Sequence, residues 1–405
     1  MSDGPVKSRL KGPAQWLILG AVVVAVVAVL VIGRDEATLP SNLSDETVVA
    51  RLGSVASPYP EKLRTAVTRS RETPNSRDAA VLAAREYLAY GRAIGDARYA
   101  GAALGVLDPW LTISPDAEIL NLTADGRQYM HDFAGALQVL DQVLVTDPRN
   151  AQAHLSRANI RIVQGQSTLA EEDCRGLARA RRADLAILCD TTAKALTAEA
   201  PMAFQRLERL VISRAIDPAL KGYAQSLLGE IARFNEDAAA ARPMFEAALA
   251  ASPDDLRTLM VLVDFDLADG RPQEALARLA AAPATDGIMV RQVEAHLALG
   301  DKTAADAIGA ILRGRFEEAD GSGDTAHARE VARYWLLLGE TERALTAASV
   351  NWTNQRELED ALLLIATAKA AGKPEAAAPI QEWAAAEKVV APMYLSAVRQ
   401  LKEPM

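Results

Sequence analysis

The stretch Phe234-Asn-Glu-Asp-Ala-Ala-Ala-Ala-Arg-Pro-Met-Phe-Glu-Ala-Ala-Leu-Ala-Ala-Ser-Pro253 decides the fold, read together with Tyr223-Ala-Gln-Ser-Leu-Leu-Gly-Glu-Ile-Ala-Arg233 before it. Small Gly229 and small Ala241 stand twelve residues apart, Phe245 and Ala248 follow at helical spacing, and Pro253 closes the run. Each position has a steric reason. Gly229 and Ala241 let two antiparallel helices approach closely, and Phe245 fills the gap between them. Pro253 stops the second helix, because it lacks an N–H and restricts the residue before it.

Recurrence turns this pair into an architecture. The turn between two helices returns at Gly95, His131, Gly165, Ala200, Asn235, Gly270, Gly300, Gly339 and Gly372, at spacings of 36, 34, 35, 35, 35, 30, 39 and 33 residues. On these residues and this period the chain resembles the tetratricopeptide repeat family from about Arg77 to Lys402. The resemblance implies an all-α fold: a right-handed superhelical solenoid of helical hairpins, each burying its apolar face on its neighbours. It implies no particular activity, since the family shares a shape rather than a chemistry.

Composition agrees. The chain has 405 residues, is 50% hydrophobic and only 5% aromatic. Abundant alanine suits closely packed helices. Net charge is −9; Lys7, Arg9 and Lys11 against Asp3 give the first thirteen residues +2, so the rest carries −11. An acidic body argues against nucleic acid as partner, which requires basic clusters to displace counterions.

Ala14–Ile32 is nineteen residues without a charge. As a helix it spans roughly 28 Å, close to a bilayer core. Trp16 stands where an interfacial aromatic belongs. Residues 14–33 read as a retained transmembrane anchor; a cleaved signal peptide or a buried helix are the alternatives, and Val31-Ile-Gly33 is a poor cleavage site. The preceding basic residues 1–13 place the N-terminus in the cytoplasm and the bulk of the chain across the membrane. For a bacterium, that is a single-pass inner-membrane protein facing the periplasm.

Residues 34–76 read as a stem that covers the first hairpin, with local helix at Ser44–Leu52 and Glu61–Arg71. About nine hairpins fill 77–388. Asp108-Pro109 is expected to end the returning helix of the first, and Phe316–Thr325 to form a polar loop. Residues 389–405 are expected to cap the end of the stack and leave a short tail.

His131, His154, His296 and His327 are the four histidines, and none has metal-ligand spacing to another His or a Cys. His154 falls at a packing position and His131 in a turn. No His-Glu-x-x-His, Gly-x-Ser-x-Gly or phosphate loop is present. The expectation is a protein that is not an enzyme and holds no cofactor or metal. Cys174 and Cys189 flank the Ala180-Arg-Arg-Ala183 turn almost symmetrically, so antiparallel helices bring them side by side. In an oxidising compartment they form a disulfide; reduced, they serve as small apolar residues.

In arrays that this chain resembles, the first helix of each hairpin lines a concave groove. That places Asn121, Asp125, Gln128, Gln152, Asn159, Asp190, Lys194, Tyr223, Glu230, Arg233 and Asp264 in it. Asp125 would repel a peptide's terminal carboxylate. The expected partner is a protein or extended peptide of unspecified identity, and the expected role a scaffold or adaptor. The alternatives are an assembly or maturation factor for an envelope complex, and an envelope enzyme, for instance glycan-modifying, framed by the array.

Overall fold

A computed structural model describes residues 59–403 apart from 214, 323–324 and 326. The basic tail, the expected anchor and stem residues 34–58 lie outside that range. No helix among the described residues is long and apolar enough to cross a membrane.

The described residues fold into twenty α-helices. Helix α1 (Glu61–Glu72) leads. Nine hairpins follow: α2 (Arg77–Ile94) with α3 (Arg98–Ile113), α4 (Ala117–Tyr129) with α5 (Phe133–Thr146), α6 (Ala151–Val163) with α7 (Ser167–Arg179), and α8 (Ala183–Lys194) with α9 (Ala200–Ile212). The series continues with α10 (Lys221–Phe234) and α11 (Ala238–Ala251), α12 (Leu256–Ala268) and α13 (Pro272–Leu279), α14 (Asp286–Ala298) and α15 (Lys302–Ser322), then α16 (Ala328–Leu337) and α17 (Thr341–Asn354). Helix α18 (Leu358–Ala370) pairs with a short 3-10 turn, Pro374–Ala377, and α19 (Ala378–Ala386); α20 (Pro392–Leu401) ends the order.

The recurring turn has a backbone cause. In eight of the nine hairpins one residue of the turn after the first helix is left-handed: Gly95, His131, Gly165, Glu236, Gly270, Gly300, Gly339 and Gly372, with φ between 60° and 77°. Each supports the 6→1 hydrogen bond that ends a helix in a Schellman turn, as in Gln166 N–H to Arg161 O at 2.7 Å and Arg271 N–H to Asp266 O at 2.8 Å. Glycine adopts this conformation without a Cβ clash. The fourth hairpin lacks the left-handed residue and turns through Ala195–Glu199 instead. Helix starts are equally local: Ser76, Asp116, Asn150, Asp255 and Thr285 each cap the first helix of a hairpin with a side-chain oxygen, satisfying an N–H that the helix leaves open.

Packing inside a hairpin follows the small–large scheme. A Cβ added at Gly229 would lie 3.1 Å from three atoms of the Phe245 ring. Ala241 and Phe245 are both fully buried. Helices of twelve to fourteen residues are marginal alone, so this contact supplies most of their stability. Leu63, Ala66 and Val67 of α1 are buried against the first hairpin, which leaves its apolar face covered.

Two expectations fail. Helix α3 runs through Asp108-Pro109 to Ile113. Buried Leu107 and half-buried Trp110 join the core of the first hairpin on either side of the proline, and tertiary burial overrides the lost hydrogen bond. Helix α15 likewise extends over most of the expected loop, to Ser322. Phe316 is buried there, 5.7 Å from the Tyr334 ring, and Glu-Glu-Ala is a good helical sequence.

The solenoid then meets itself. Gly95, in the first turn, faces Thr285 at the start of the seventh hairpin; a Cβ on Gly95 would fall 2.4 Å from it. The second turn meets the entrance to the ninth hairpin, with Gln355 Nε2 3.1 Å from His131 Nε2. At the third turn Arg356 N–H donates to Val163 O at 2.7 Å, and Gly165 lies under Trp383. After the fourth inner helix, Val390 N–H donates to Leu196 O at 2.8 Å. Each turn thus meets the chain about six to seven hairpins later. The largest core cluster spans this junction, joining Ala195, Ala200, Ile231 and Phe234 to Trp352, Leu358, Trp383 and Tyr394. Residues 389–401, expected to close a free end, therefore seat against the fourth and fifth hairpins.

Candidate functional site

The inner face, formed by the first helix of each hairpin, divides into an open part and a filled part. The open part belongs to the first three hairpins. Arg85, Glu118, Asn121, Asp125, Asn150 and Gln152 line a cleft of about 570 Å³ there. Helices α2, α4 and α6 present these side chains one above another, because residues four apart share a helix face. Arg85 pairs with Glu118 at 2.5 Å and Arg92 with Asp125 at 2.5 Å, so the charges of the cleft are balanced. Asn121 Nδ2 donates to Asn150 Oδ1 at 3.3 Å, and its own Oδ1 is buried without a partner. Gln152 donates to Ser156 at 3.1 Å. Gln128 is half-buried and Asn159 exposed. The cleft offers amide donors and acceptors of the kind an extended main chain uses.

The filled part belongs to the fifth through ninth hairpins. Arg233 bonds Glu230 at 2.8 Å and also Glu359. Asp264 takes Arg291 at 2.6 Å and Arg333 at 2.6 Å, and Arg333 reaches Glu294 at 2.7 Å. Arg329 holds Asp360 at 2.7 Å and Glu357 at 2.8 Å, while Arg257 spans Glu357 at 3.3 Å and Glu230 at 3.5 Å. Asn351 donates to Asp360 at 2.6 Å. An opening of about 290 Å³ remains beside Arg257, Met260, Phe265 and Met393.

The electrostatics of this layer are strongest at buried Asp360 and Glu230 and at largely buried Glu357, while Arg257 and Asp264 keep part of their side chains in water. Burial raises the Glu357 carboxyl, but the charges of Arg257 and Arg329 outweigh it and hold the group down to about 2. Burial also opposes ionisation of Asp264, and the Arg291 and Arg333 charges again win, lowering it. For Asp360 burial prevails over Arg329, helped by the neighbouring Glu357 charge, and its carboxyl is raised.

The expected groove residues therefore separate. Asn121, Asp125 and Gln152 come together in the open cleft. Glu230, Arg233 and Asp264 enter the ionic layer, where the chain's own C-terminal hairpins cover Glu230 and most of Arg233 and leave Asp264 half-buried. Asp190 and Lys194 join Arg206 and Glu199 in a half-exposed cluster, Asp190 at 2.6 Å from Arg206 and Lys194 at 3.0 Å from Glu199. Tyr223 is exposed, with its hydroxyl 3.4 Å from Thr192 Oγ1. Asn150 of the cleft, and Arg257, Arg291, Arg329 and Arg333 of the layer, escaped the sequence reading. Their repeat positions signal an inner face, but nothing local signals partners as far as 126 residues away.

Cys174 and Cys189 are disulfide-bonded, with Cα atoms 5.4 Å apart across the Ala180–Ala183 turn. His154 is buried, as a packing position requires, but it is also polar: Nδ1 lies 2.8 Å from Asp173 and Nε2 3.2 Å from Pro148 O. A Cβ on Gly176 would strike its ring at 2.3 Å, which explains that glycine. His327 Nδ1 lies 2.9 Å from buried Asp286. No group of His, Cys, Asp and Glu among the described residues has the geometry of a metal site.

Comparison with known proteins agrees with the repeat. Residues 235–297 match the tetratricopeptide repeat family. No curated protein matches the chain. Among solved structures, a chain in the crystal structure of the APC/C hetero-tetramer Cut9-Hcn1 is similar at 14% identity with a TM-score of 0.50. The match covers 85% of this chain and 66% of that one. At this identity the likeness concerns the fold alone.

Proposed function

We propose that this chain is a non-enzymatic scaffold that holds a protein segment on the open inner face of its first three hairpins, anchored in a bacterial inner membrane and facing the periplasm. The observation that carries the reading is the contrast on the inner face. The amide-lined cleft at Asn121 and Gln152 is open, whereas ion pairs from the chain's own later hairpins bridge the inner face of the fifth to ninth hairpins and leave a smaller opening there. Tetratricopeptide repeats serve as protein-binding frames, and the similar solved chain belongs to a hetero-tetramer. Location rests on the uncharged run 14–32, the basic residues before it and the bonded cysteine pair.

Photo-crosslinking in intact membranes tests the partner face. A benzoylphenylalanine at Asn121 or Gln152 should give discrete protein adducts, and one at Glu246 on the returning helix α11 should not. The same adducts at all three positions, or none at Asn121 and Gln152, would overturn the reading. Alkaline phosphatase fused after Met405 should be active; an inactive fusion of normal abundance would overturn the location.

A further inference from the structure

Helix α15 is 21 residues long, and its last two turns run past the body of its hairpin. These turns bury one aromatic, Phe316, and otherwise expose Glu317, Glu318 and Asp320. Ordering so much polar chain for one buried ring suggests a role outside the core. The overhang forms a wall. With returning helix α17 as the opposite wall and α16 as the floor, it encloses a trough of about 440 Å³. Phe316, Val331, Trp335, Ala347 and Val350 supply its apolar lining. The Arg343 guanidinium covers the Trp335 ring at 3.5 Å from its centroid. Glu317 and Asp320 stand on one rim with no ion-pair partner among the described residues; Glu342 on the other, beside Arg343, reaches Lys373 at 2.6 Å.

We infer that this trough is a docking surface for an amphipathic helix of a partner protein, with an apolar stripe and flanking Lys or Arg residues. Its lining comes from three helices, so the trough runs between helix faces of the kind that a further helix packs against. The volume accommodates two to three aliphatic side chains, the usual number of anchors at i, i+3 or i+4, and i+7 in helix-in-groove recognition. The Glu317 and Asp320 carboxylates outnumber the single Arg343 guanidinium in the trough, so their rim selects basic flanks and disfavours acidic ones. The surface lies between returning helices and is separate from the amide-lined cleft, so each can fail without the other.

The test uses the full chain in neutral-lipid nanodiscs with benzoylphenylalanine at Thr346 on the rim. The probe is an 18-residue peptide of leucine and lysine with leucines at i, i+3, i+4 and i+7. It should crosslink at Thr346 but not when the photoprobe is moved to Gln152. Replacing every lysine by glutamate, or scrambling the leucines, should abolish the adduct. Glu317→Lys with Asp320→Lys, both at exposed positions, should cut the yield about five- to tenfold, since each reversed rim charge repels the probe. Ala347→Trp should fill the trough and remove the adduct. If that variant loses its helical circular dichroism, the charge reversals alone decide. Equal crosslinking by the glutamate or scrambled peptide, or yield unaffected by the rim reversals, would overturn the proposal.

Discussion

The first three hairpins and the last five use the same repeat, yet their inner faces have opposite fates. In the first three, arginines pair with acids on the next hairpin: Arg85 with Glu118, Arg92 with Asp125. Those pairs stay at the surface and leave a cleft between them. In the later hairpins, Arg233 and Arg257 reach across the superhelix to Glu359 and Glu357, 126 and 100 residues away. The repeat unit alone does not decide whether a solenoid has a groove. What decides is how tightly the array curls and whether later inner helices carry charges that answer earlier ones.

The comparison is broken most severely by deleting one charge from each face. Arg329→Met strands Asp360, whose side chain has no accessible surface, beside Glu357. Unpaired buried charge costs about 3–5 kcal/mol. Arg85→Met removes a pair whose arginine is 58% exposed, worth about 0–1 kcal/mol. Urea denaturation of both variants should show this gap; equal costs would mean that the inner layer is as wet as the cleft.

Acid tests the same layer without mutation. The Glu357 carboxyl falls from 4.5 to about 2 on folding, so its contribution is fully present above pH 4.5 and is lost as pH drops toward 2. That shift corresponds to roughly 3 kcal/mol. Asp264, also lowered, acts in the same direction; Asp360, raised, prefers its proton in the folded state and offsets part of the loss. Hydrogen exchange should therefore show the ninth hairpin losing protection in this window before the second and third. Uniform loss along the chain would contradict the division.

The smallest effect isolates the closure from the turn. Gly165 and Gly270 share a left-handed backbone, φ 70° and 69°. An added Cβ meets nothing within 4 Å at Gly270, but meets Trp383 at 2.5 Å and the Arg356 Cβ at 2.8 Å at Gly165. Gly270→Ala should cost about 1–2 kcal/mol for the backbone alone. Gly165→Ala should cost about 1–3 kcal/mol more for overpacking. Equal thermal unfolding shifts would mean that Trp383 does not rest on the third turn.

The sequence made the hairpins legible because their determinants are local. Six of the recurring turn positions are glycines at the left-handed residue itself, and Gly229, Ala241 and Phe245 meet as their spacing predicts. Pro109 and the end of α15 misled for the opposite reason: burial of Leu107, Trp110 and Phe316 comes from neighbouring helices and outweighs local signals. The candidate site was legible only in part. Repeat position puts Glu230, Arg233 and Asp264 on the first helices of their hairpins, where the long-range ion pairs form. Whether the inner face stays open there depends on Glu357, Glu359 and Arg333, which no local window connects to them.

Solenoids commonly grow and shrink by duplication or loss of whole units, since each unit touches only the next. A chain that meets itself after six to seven hairpins has surrendered that freedom. Inserting one unit between the third and the ninth hairpin would carry Arg356 and Trp383 away from Val163 and Gly165, and every later contact with them. Copy number is thus coupled to the junction: the contacts of Arg356 and Trp383 with the third turn hold only at the present number of units between them.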